Sequence, residues 1–197
     1  SVSGYTSLLG NTLMGGDLHV SGTARFDSTT IIKGFGIVNG LTETKGGGFY
    51  INQSSPLIEN CFIYGNDASD GGGIYIANSS SAVIRNCVIN SNSNTGISLY
   101  QTESCRIIKC RIKDNQGESA GGIFLYSDSG TEIKNTLIRN NTATGGQWYY
   151  GAGGILYRYS NSMNIENSII HNNTGSTAGG IYLQGVQGGI ISNCVIS

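Results

Sequence analysis

One unit recurs about six times along this chain of 197 residues. Its clearest copy, residues 71–92, reads GGGIYIANSSSAVIRNCVINSN. Glycines precede a short alternating stretch, a polar break follows, and a second stretch reads Ile-x-Asn-Cys-x-Ile before a further asparagine. Self-similarity at a period of about 20–50 residues is typical of folds in which each unit stacks on the next. The repeat therefore restricts the chain to a stacked, elongated architecture.

The spacing of the repeats indicates coils made of short β-strands. The glycines before the first strand, or their equivalents, are Gly48, Gly73, Gly96, Gly122, Gly154 and Gly180, at intervals of 25, 23, 26, 32 and 26 residues. About 25 residues are too few for a β-α-β unit, and no segment has an apolar period of 3.6 long enough for a helix. We predict an all-β, single-domain parallel β-solenoid of about eight coils over residues 1–197. Residues 1–30 would form irregular first coils, 31–197 regular repeats, and 142–151 a loop insertion.

Apolar side chains fall into columns when the repeats are aligned. Two isoleucine columns run Ile32, Ile58, Ile84, Ile107, Ile133, Ile165, Ile191 and Ile37, Ile63, Ile89, Ile112, Ile138, Ile170, Ile196. Two more follow the glycines: Phe49, Ile74, Ile97, Ile123, Ile155, Ile181 and Ile51, Ile76, Leu99, Leu125, Tyr157, Leu183. Along each strand, the residues of these columns alternate with positions where the residue type varies. This pattern predicts that all four columns face inward. Each buried isoleucine contributes about 1.5–3 kcal/mol.

Asparagine also forms two columns. They are Asn60, Asn86, Lys109, Asn135, Asn167, Asn193 and Asn66, Asn92, Asn115, Asn141, Asn173. Stacked asparagines hydrogen-bond along a ladder, and asparagine tolerates left-handed backbone at bends. We predict both roles for both columns. The same alignment places Glu59 beside Arg85 and Lys134 beside Glu166 as opposite-charge pairs on adjacent coils.

Charge is sparse and nearly balanced, with 12 acidic and 11 basic residues and a formal net charge of −1. The chain has no excess of basic residues of the kind that would indicate a nucleic-acid partner. It also has no apolar run that approaches the roughly 18 residues of a membrane-spanning helix. The chain starts at Ser1 and stops at Ser197 in the middle of a repeat. We expect either further chain or a second copy to cover that coil, since open strand edges favour association.

The repeat resembles a known group of proteins. The Gly-Gly-Ile-Tyr of residues 72–75 with the later Ile-x-x-Asn resembles the repeats of polymorphic outer-membrane proteins and, more widely, of right-handed parallel β-helix proteins of bacterial surfaces. Residues 6–10, 32–40 and 46–48 also resemble the start of such secreted domains. The resemblance covers nearly the whole chain. It implies a right-handed coil and an extracellular or cell-surface location.

Aromatic residues at outward positions are the strongest functional signal. They form a strip on the first strand of each coil: Tyr50, Tyr75, Tyr100, Phe124, Tyr126 and Tyr182, with Arg158 in the same columns. The insertion adds Trp148, Tyr149 and Tyr150. Aromatic rings beside polar groups suit a sugar or protein ligand. Two other readings stay open: the rings stabilise the sheet, or another part of the chain covers them.

The sequence gives weak support for catalysis. Cys61, Cys87, Cys110 and Cys194 share one inward column, as buried thiols or as disulfides between adjacent coils. The carboxylates are scattered, and we predict no catalytic residue, no metal site and no cofactor. The predicted function is a structural or adhesive module that binds glycan or protein and stacks end to end. A polysaccharide lyase or glycoside hydrolase, or a fragment of one, is the alternative.

Overall fold

A computed structural model describes residues 19–20, 24–25, 30–145 and 150–197. In that part of the chain 25 short strands alternate with turns. In chain order they are β1 (His19–Val20), β2 (Ala24–Arg25), β3 (Ile31–Lys33), β4 (Gly36–Val38), β5 (Phe49–Asn52), β6 (Leu57–Glu59), β7 (Phe62–Tyr64), β8 (Ile74–Ala77), β9 (Val83–Arg85), β10 (Val88–Asn90), β11 (Ile97–Tyr100), β12 (Arg106–Ile108), β13 (Arg111–Lys113), β14 (Gln116–Gly117), β15 (Ile123–Tyr126), β16 (Glu132–Lys134), β17 (Leu137–Arg139), β18 (Thr142–Ala143), β19 (Ile155–Arg158), β20 (Asn161–Glu166), β21 (Ile169–His171), β22 (Thr174–Gly175), β23 (Ile181–Gln184), β24 (Gln187–Ser192) and β25 (Val195–Ile196).

Three parallel sheets run along the molecule. Sheet A has the order β1-β4-β7-β10-β13-β17-β21-β25, sheet B β2-β5-β8-β11-β15-β19-β23, and sheet C β3-β6-β9-β12-β16-β20-β24. A small fourth sheet contains β14, β18 and β22. The chain visits sheets B, C and A in turn, so each circuit is one coil. The predicted all-β parallel solenoid is confirmed.

The number of coils is lower than predicted. Strands β5 to β25 make six coils, and β2, β3 and β4 contribute the sheet B, sheet C and sheet A strands of one coil before them, part of which lies outside the described residues. The prediction of about eight counted the irregular start, of which only β1 and β2 are described. Within the insertion, residues 142–143 form β18, and residues 146–149 lie outside the described part. None of the described residues belongs to a helix that could cross a membrane.

The predicted apolar columns form the core. Strand pairing places Ile58 beside Ile84 and Ile63 beside Ile89, in the register that the alignment predicts. Because side chains alternate between the faces of a strand, every second residue points inward, and Ile58 and Ile63 are fully buried. In the last coil, Ile191 and Ile196 are 40% and 47% exposed. Association through this end stays a prediction.

Each asparagine column has only one of the two roles that we predicted for both. The column of Asn66, Asn92 and Asn115 is buried and forms the ladder: Asn66 Nδ2 donates to Asn92 Oδ1 at 2.9 Å, and Asn92 Nδ2 donates to Asn115 Oδ1 at 2.9 Å. The column of Asn60 is exposed and has left-handed backbone, with φ near 50° throughout. Lys109 fits there at φ 53° because its side chain points to solvent and is not needed for the ladder.

The repeated glycines are explained by the close approach of adjacent coils. None of the six glycines before the sheet B strands has a positive φ, so left-handed backbone does not require them. Instead, a Cβ atom at Gly73 would collide with the carbonyl oxygen of Gly96, and one at Gly48 with that of Gly73. Adjacent coils therefore approach too closely at this point for any side chain.

Candidate binding surface

The site begins at the corner where each sheet B strand ends and the chain turns toward sheet C. The first residue after the strand has left-handed backbone in every complete coil. These residues are Gln53 (φ 50°), Asn78 (φ 56°), Gln101 (φ 54°), Ser127 (φ 52°), Tyr159 (φ 51°) and Gly185 (φ 62°). Glycine and asparagine adopt this conformation readily, whereas a bulky residue there is an outlier. Tyr159 therefore occupies a position that disfavours it.

An open polar groove follows this corner. It has a volume of about 680 Å³ and is lined by Gln53, Ser55, Asn78, Ser79, Gln101 and Ser127. All six side chains are uncharged, and their amides and hydroxyls both donate and accept hydrogen bonds. Two of them are already engaged: Asn78 Nδ2 donates to Asn52 Oδ1 at 2.6 Å, and Ser55 Oγ accepts from the Ser81 backbone N–H at 3.1 Å. The corner column continues beyond the groove to Tyr159.

Three tyrosines form a cluster at that end of the groove. The rings of Tyr100 and Tyr126 are stacked, with centroids 4.8 Å apart and planes at 7°. Tyr159 meets Tyr126 edge to face at 5.8 Å, and the Arg158 guanidinium lies 5.5 Å from the centroid of the Tyr159 ring. Tyr159 is 51% exposed. The corner thus places an accessible aromatic face next to a row of hydrogen-bonding groups.

Two residues of the predicted strip form a second stacked pair beside this cluster, since Lys45 Nζ lies 4.7 Å from the Tyr75 ring centroid and 5.5 Å from that of Tyr100. Tyr50 and Tyr75 lie 5.7 Å apart with parallel rings, and Tyr75 is only 2% exposed. Lys45, on the turn before sheet B, donates from Nζ to the Tyr75 hydroxyl at 2.9 Å. Burial raises the pKa of Tyr75, and this hydrogen bond raises the pKa of Lys45. Tyr75 points outward from the sheet as predicted, but the turn covers it.

The remaining predicted residues are partly covered or outside the described part. Phe124 and Tyr182 pack around Leu156, which is buried with Ala120 and Ala152 of the preceding turns. Tyr150 contacts Tyr182 at a centroid distance of 5.3 Å. Trp148 and Tyr149 lie outside the described residues. The structure therefore brings together Tyr100, Tyr126 and Arg158 and adds Tyr159, which the sequence analysis missed.

An inward polar column, also missed, lies behind the corner. It consists of Ser54, Ser80, Thr102, Asp128 and Ser160, all buried. Asp128 accepts hydrogen bonds from the hydroxyls of Thr102 (2.6 Å) and Thr131 (2.7 Å) and from the Thr131 backbone N–H (2.9 Å). These bonds fix the turn that carries Ser127. The column supports the corner from inside, since its side chains do not reach the groove.

The cysteines are buried thiols, as the first of the two readings predicted. All five are free, and only Cys194 is partly exposed. Cys61 Sγ donates to the carbonyl of Glu59 at 3.3 Å, and Cys87 Sγ donates to that of Arg85 at 3.2 Å. Burial raises the pKa of Cys105 to about 12. Within the described residues no group of three or more His, Cys, Asp or Glu side chains is arranged to hold a metal ion.

We expect Cys194, the partly exposed cysteine, to be the only thiol of the five that reacts with Ellman's reagent in the native protein at pH 8. The others are shielded, and the raised pKa keeps Cys105 protonated at pH values where an exposed thiol has ionised. In guanidinium chloride all five should react. The native signal should vanish in Cys194→Ser. A count below five after unfolding would show a disulfide and contradict the assignment.

Comparison with known families supports the fold. The family described as "right handed beta helix region" matches residues 3–154 and again residues 119–197. Comparison with curated proteins and with solved structures gave no match. The two matched segments overlap and together cover almost the whole chain, in agreement with the parallel coils seen from β3 to β25. The chain belongs to the right-handed β-helix family.

Proposed function

We propose that the protein is a secreted or cell-surface β-helix module that binds a neutral polysaccharide along the corner groove. The observation that carries the proposal is Tyr159. A half-exposed aromatic side chain occupies a left-handed position where the neighbouring coils use Gln, Asn, Ser and Gly. Sparsely populated backbone of this kind costs about 1–3 kcal/mol and is concentrated at functional sites.

The chemistry of the groove supports a carbohydrate. Sugar rings present apolar faces to aromatic side chains and hydroxyls to amides and hydroxyls, and the corner offers both. The lining side chains carry no charge that would have to be neutralised. They also include no carboxylate, which a lyase or hydrolase of the alternative reading would need beside its substrate. Binding without turnover is the function that these residues support best.

The direction of the groove supports an extended ligand. Equivalent corner residues of adjacent coils are about 4.8 Å apart, as paired strands are. Gln53, Asn78, Gln101, Ser127 and Tyr159 therefore form a straight row that crosses five coils. A linear chain of sugars laid along the row would meet one polar side chain per coil and end against the ring of Tyr159.

The test compares Tyr159→Asn with Tyr64→Asn. Both residues are exposed tyrosines, but Tyr64 lies on sheet A and stacks on Phe62, away from the groove. Isothermal titration with linear hexasaccharides of glucose, mannose and xylose should show binding of at least one by the wild type. We expect Tyr159→Asn to weaken it about tenfold, the effect of losing one aromatic contact.

The stability of the variant separates binding from folding. Asparagine relieves the left-handed strain of Tyr159, which offsets the loss of its contact with Tyr126. The free energy of unfolding should therefore change by less than about 1 kcal/mol. Equal weakening in Tyr64→Asn, or no binding by any of the three sugars, would refute the proposal.

A further inference from the structure

The outer side of sheet A presents two neighbouring columns of side chains. Strand pairing aligns the first column across six strands: Phe62, Val88, Arg111, Leu137, Ile169 and Val195. The second column lies two residues further along each strand and contains Tyr64, Asn90, Lys113, Arg139 and His171. Neighbouring members of a column are about 4.8 Å apart. Both columns project from one side of the sheet and form a continuous surface, which we call the sheet A face.

The first column is accessible and mostly apolar. Phe62 is 43% exposed and Ile169 is 46% exposed, while Val88 and Leu137 are half-buried. Arg111 is the one charged member of the column. Contiguous exposed apolar side chains mark surfaces that contact a partner or a membrane, whereas single ones need no explanation. The column therefore offers apolar contact along most of the length of the sheet.

The second column supplies positive charge. Lys113 and Arg139 occupy paired positions, and Arg111 projects beside them from the first column. The sheet A strands from β4 to β25 contain no acidic residue. Within the described residues, Lys113 alone of these three cations has a carboxylate within 4 Å, that of Asp114 at 3.0 Å. Like charges at paired positions of a sheet are destabilising, so the sheet A face keeps its positive charge at a cost.

Sheet C carries its charges differently. Glu59 pairs with Arg85 at 2.8 Å and with Lys33 at 3.2 Å. Arg85 holds the pKa of Glu59 below its usual value through this hydrogen bond. Glu132 pairs with Arg106 at 3.3 Å. A chain whose formal net charge is −1 thus separates its charges by face, since they are paired on sheet C and positive on sheet A.

We propose that the sheet A face docks on the surface of a phospholipid membrane that contains anionic lipids. A phospholipid layer offers both chemistries that match this face: phosphate oxygens at the headgroups and hydrocarbon directly beneath them. The guanidinium groups of Arg111 and Arg139 can each bind a phosphate through two parallel hydrogen bonds. Their long stems let the charges reach headgroups while Leu137 and Ile169 contact the boundary of the acyl chains. Binding of this kind gains from apolar burial and from electrostatic attraction together.

A lipid layer fits the sheet A face better than a soluble polyanion does. A soluble polyanion has to hold its charges at positions that match the cations, whereas lipid headgroups diffuse to them. Nucleic-acid-binding domains are usually strongly basic overall, and the pI of this chain is about 6.1. At one end of the face the rings of Phe62 and Tyr64 stack with centroids 5.7 Å apart. Tyrosine is enriched at membrane–water boundaries because its ring is apolar and its hydroxyl is polar.

The sheet A face is on a different side of the coil from the corner groove, which lies between sheets B and C. The inference therefore does not depend on the proposed function.

Co-sedimentation with vesicles tests the proposal. The probes are vesicles of phosphatidylcholine alone and vesicles of phosphatidylcholine mixed with phosphatidylglycerol. We expect the wild type to bind the mixed vesicles at low salt and to dissociate as added salt screens the attraction. Affinity for the neutral vesicles should be at least about tenfold lower. Arg111→Gln/Arg139→Gln should also bind the mixed vesicles at least about tenfold more weakly, because each cation near an anionic surface contributes about fivefold.

The matched control for charge is Lys33→Gln/Arg106→Gln, which removes the same charge from sheet C. It should retain wild-type affinity for the mixed vesicles. Tyr159→Asn should also retain it, which keeps a failure here distinct from a failure of the corner groove. Equal weakening in the sheet C control would overturn the proposal, since it would show a response to net charge alone. Equal binding of neutral vesicles, or no binding of the mixed ones, would overturn it as well.

A second pair of variants separates a lipid layer from a soluble polyanion. Leu137→Thr/Ile169→Thr keeps every charge and a residue type suited to strands, but removes apolar contact. We expect it to bind the mixed vesicles about fivefold more weakly. Ile31→Thr/Ile190→Thr removes two isoleucines of sheet C that are 68% and 59% exposed, and it should bind as the wild type does. Unchanged binding by Leu137→Thr/Ile169→Thr, or equally tight binding of soluble poly-glutamate, would contradict the proposal, because the face would then recognise anions alone.

Discussion

Replacing Gly72 with alanine is expected to destabilise the protein by about 3–5 kcal/mol, a large part of the stability of an ordinary domain. A Cβ atom at Gly72 would collide with the carbonyl oxygen of Ser93 in the next coil and press on that of Asn66. Both atoms belong to backbone that pairs between coils: Ser93 N–H donates to the Asn66 carbonyl at 2.9 Å. Relief of the collision would therefore separate two coils. Urea unfolding followed by circular dichroism measures the effect.

Gly36→Ala is the control for this substitution. Gly36 lies on the outer face of β4, and no atom would lie within 4 Å of the added methyl group. Alanine also restricts the unfolded chain, so a gain of about 0.5 kcal/mol is expected. If both variants lost the same stability, the close approach of the coils would not be the reason for the glycine.

Asn115→Ala is expected to cost about 3–5 kcal/mol, because it interrupts the buried ladder at its centre. Asn115 Oδ1 accepts from the backbone N–H and from Nδ2 of Asn92, both at 2.9 Å. Its Nδ2 donates to the Ile89 carbonyl at 3.1 Å and to Asn141 Oδ1 at 3.0 Å. Alanine would remove these four hydrogen bonds and leave the Asn92 backbone N–H without this acceptor, at a cost of about 1–3 kcal/mol for that group. Asn92 Nδ2 and Asn141 Oδ1 would each keep one partner, so the loss of their bonds to Asn115 costs less.

Asn135→Ala provides the comparison within the other column. Asn135 is exposed and has a φ of 52°. Its replacement therefore costs only the difference between asparagine and alanine in adopting a left-handed backbone conformation. The expected cost is about 1 kcal/mol, and Asn135→Gly should recover it. Thermal and urea unfolding of the three variants test the division of roles. Similar losses for Asn115→Ala and Asn135→Ala would mean that the two columns are equivalent after all.

The core was predictable because the spacing of apolar residues along the chain is enough to define it. A period of two within each strand and about 25 between coils places Ile58 beside Ile84 without any knowledge of the turns. The pairing of Glu59 with Arg85 and of Lys134 with Glu166 follows from the same alignment and is confirmed. The different roles of Asn60 and Asn66 were not predictable, since their residue type is the same. The direction of each side chain relative to the core decides the role.

The candidate surface was only partly predictable. Alternation correctly directs Tyr75 away from the core, but it carries no information about the turn that brings Lys45 over the ring. Tyr159 was not predicted, because the residues at its position in the other coils, Gln53, Asn78, Gln101, Ser127 and Gly185, form no aromatic column. The left-handed φ of Tyr159 is what distinguishes it, and that requires coordinates.

The strict columns have a consequence for how proteins of this kind change in length. Each coil bonds to the coils on either side through the same ladder, glycine contact and corner residue, so the addition or loss of one entire coil preserves every bond type. A shift of one residue within a strand would instead turn the ladder and the apolar columns outward. Duplication of whole repeats can therefore lengthen the corner groove in fixed steps. Molecular length, and with it the reach for an extended polymer, can vary in evolution while the fold stays the same.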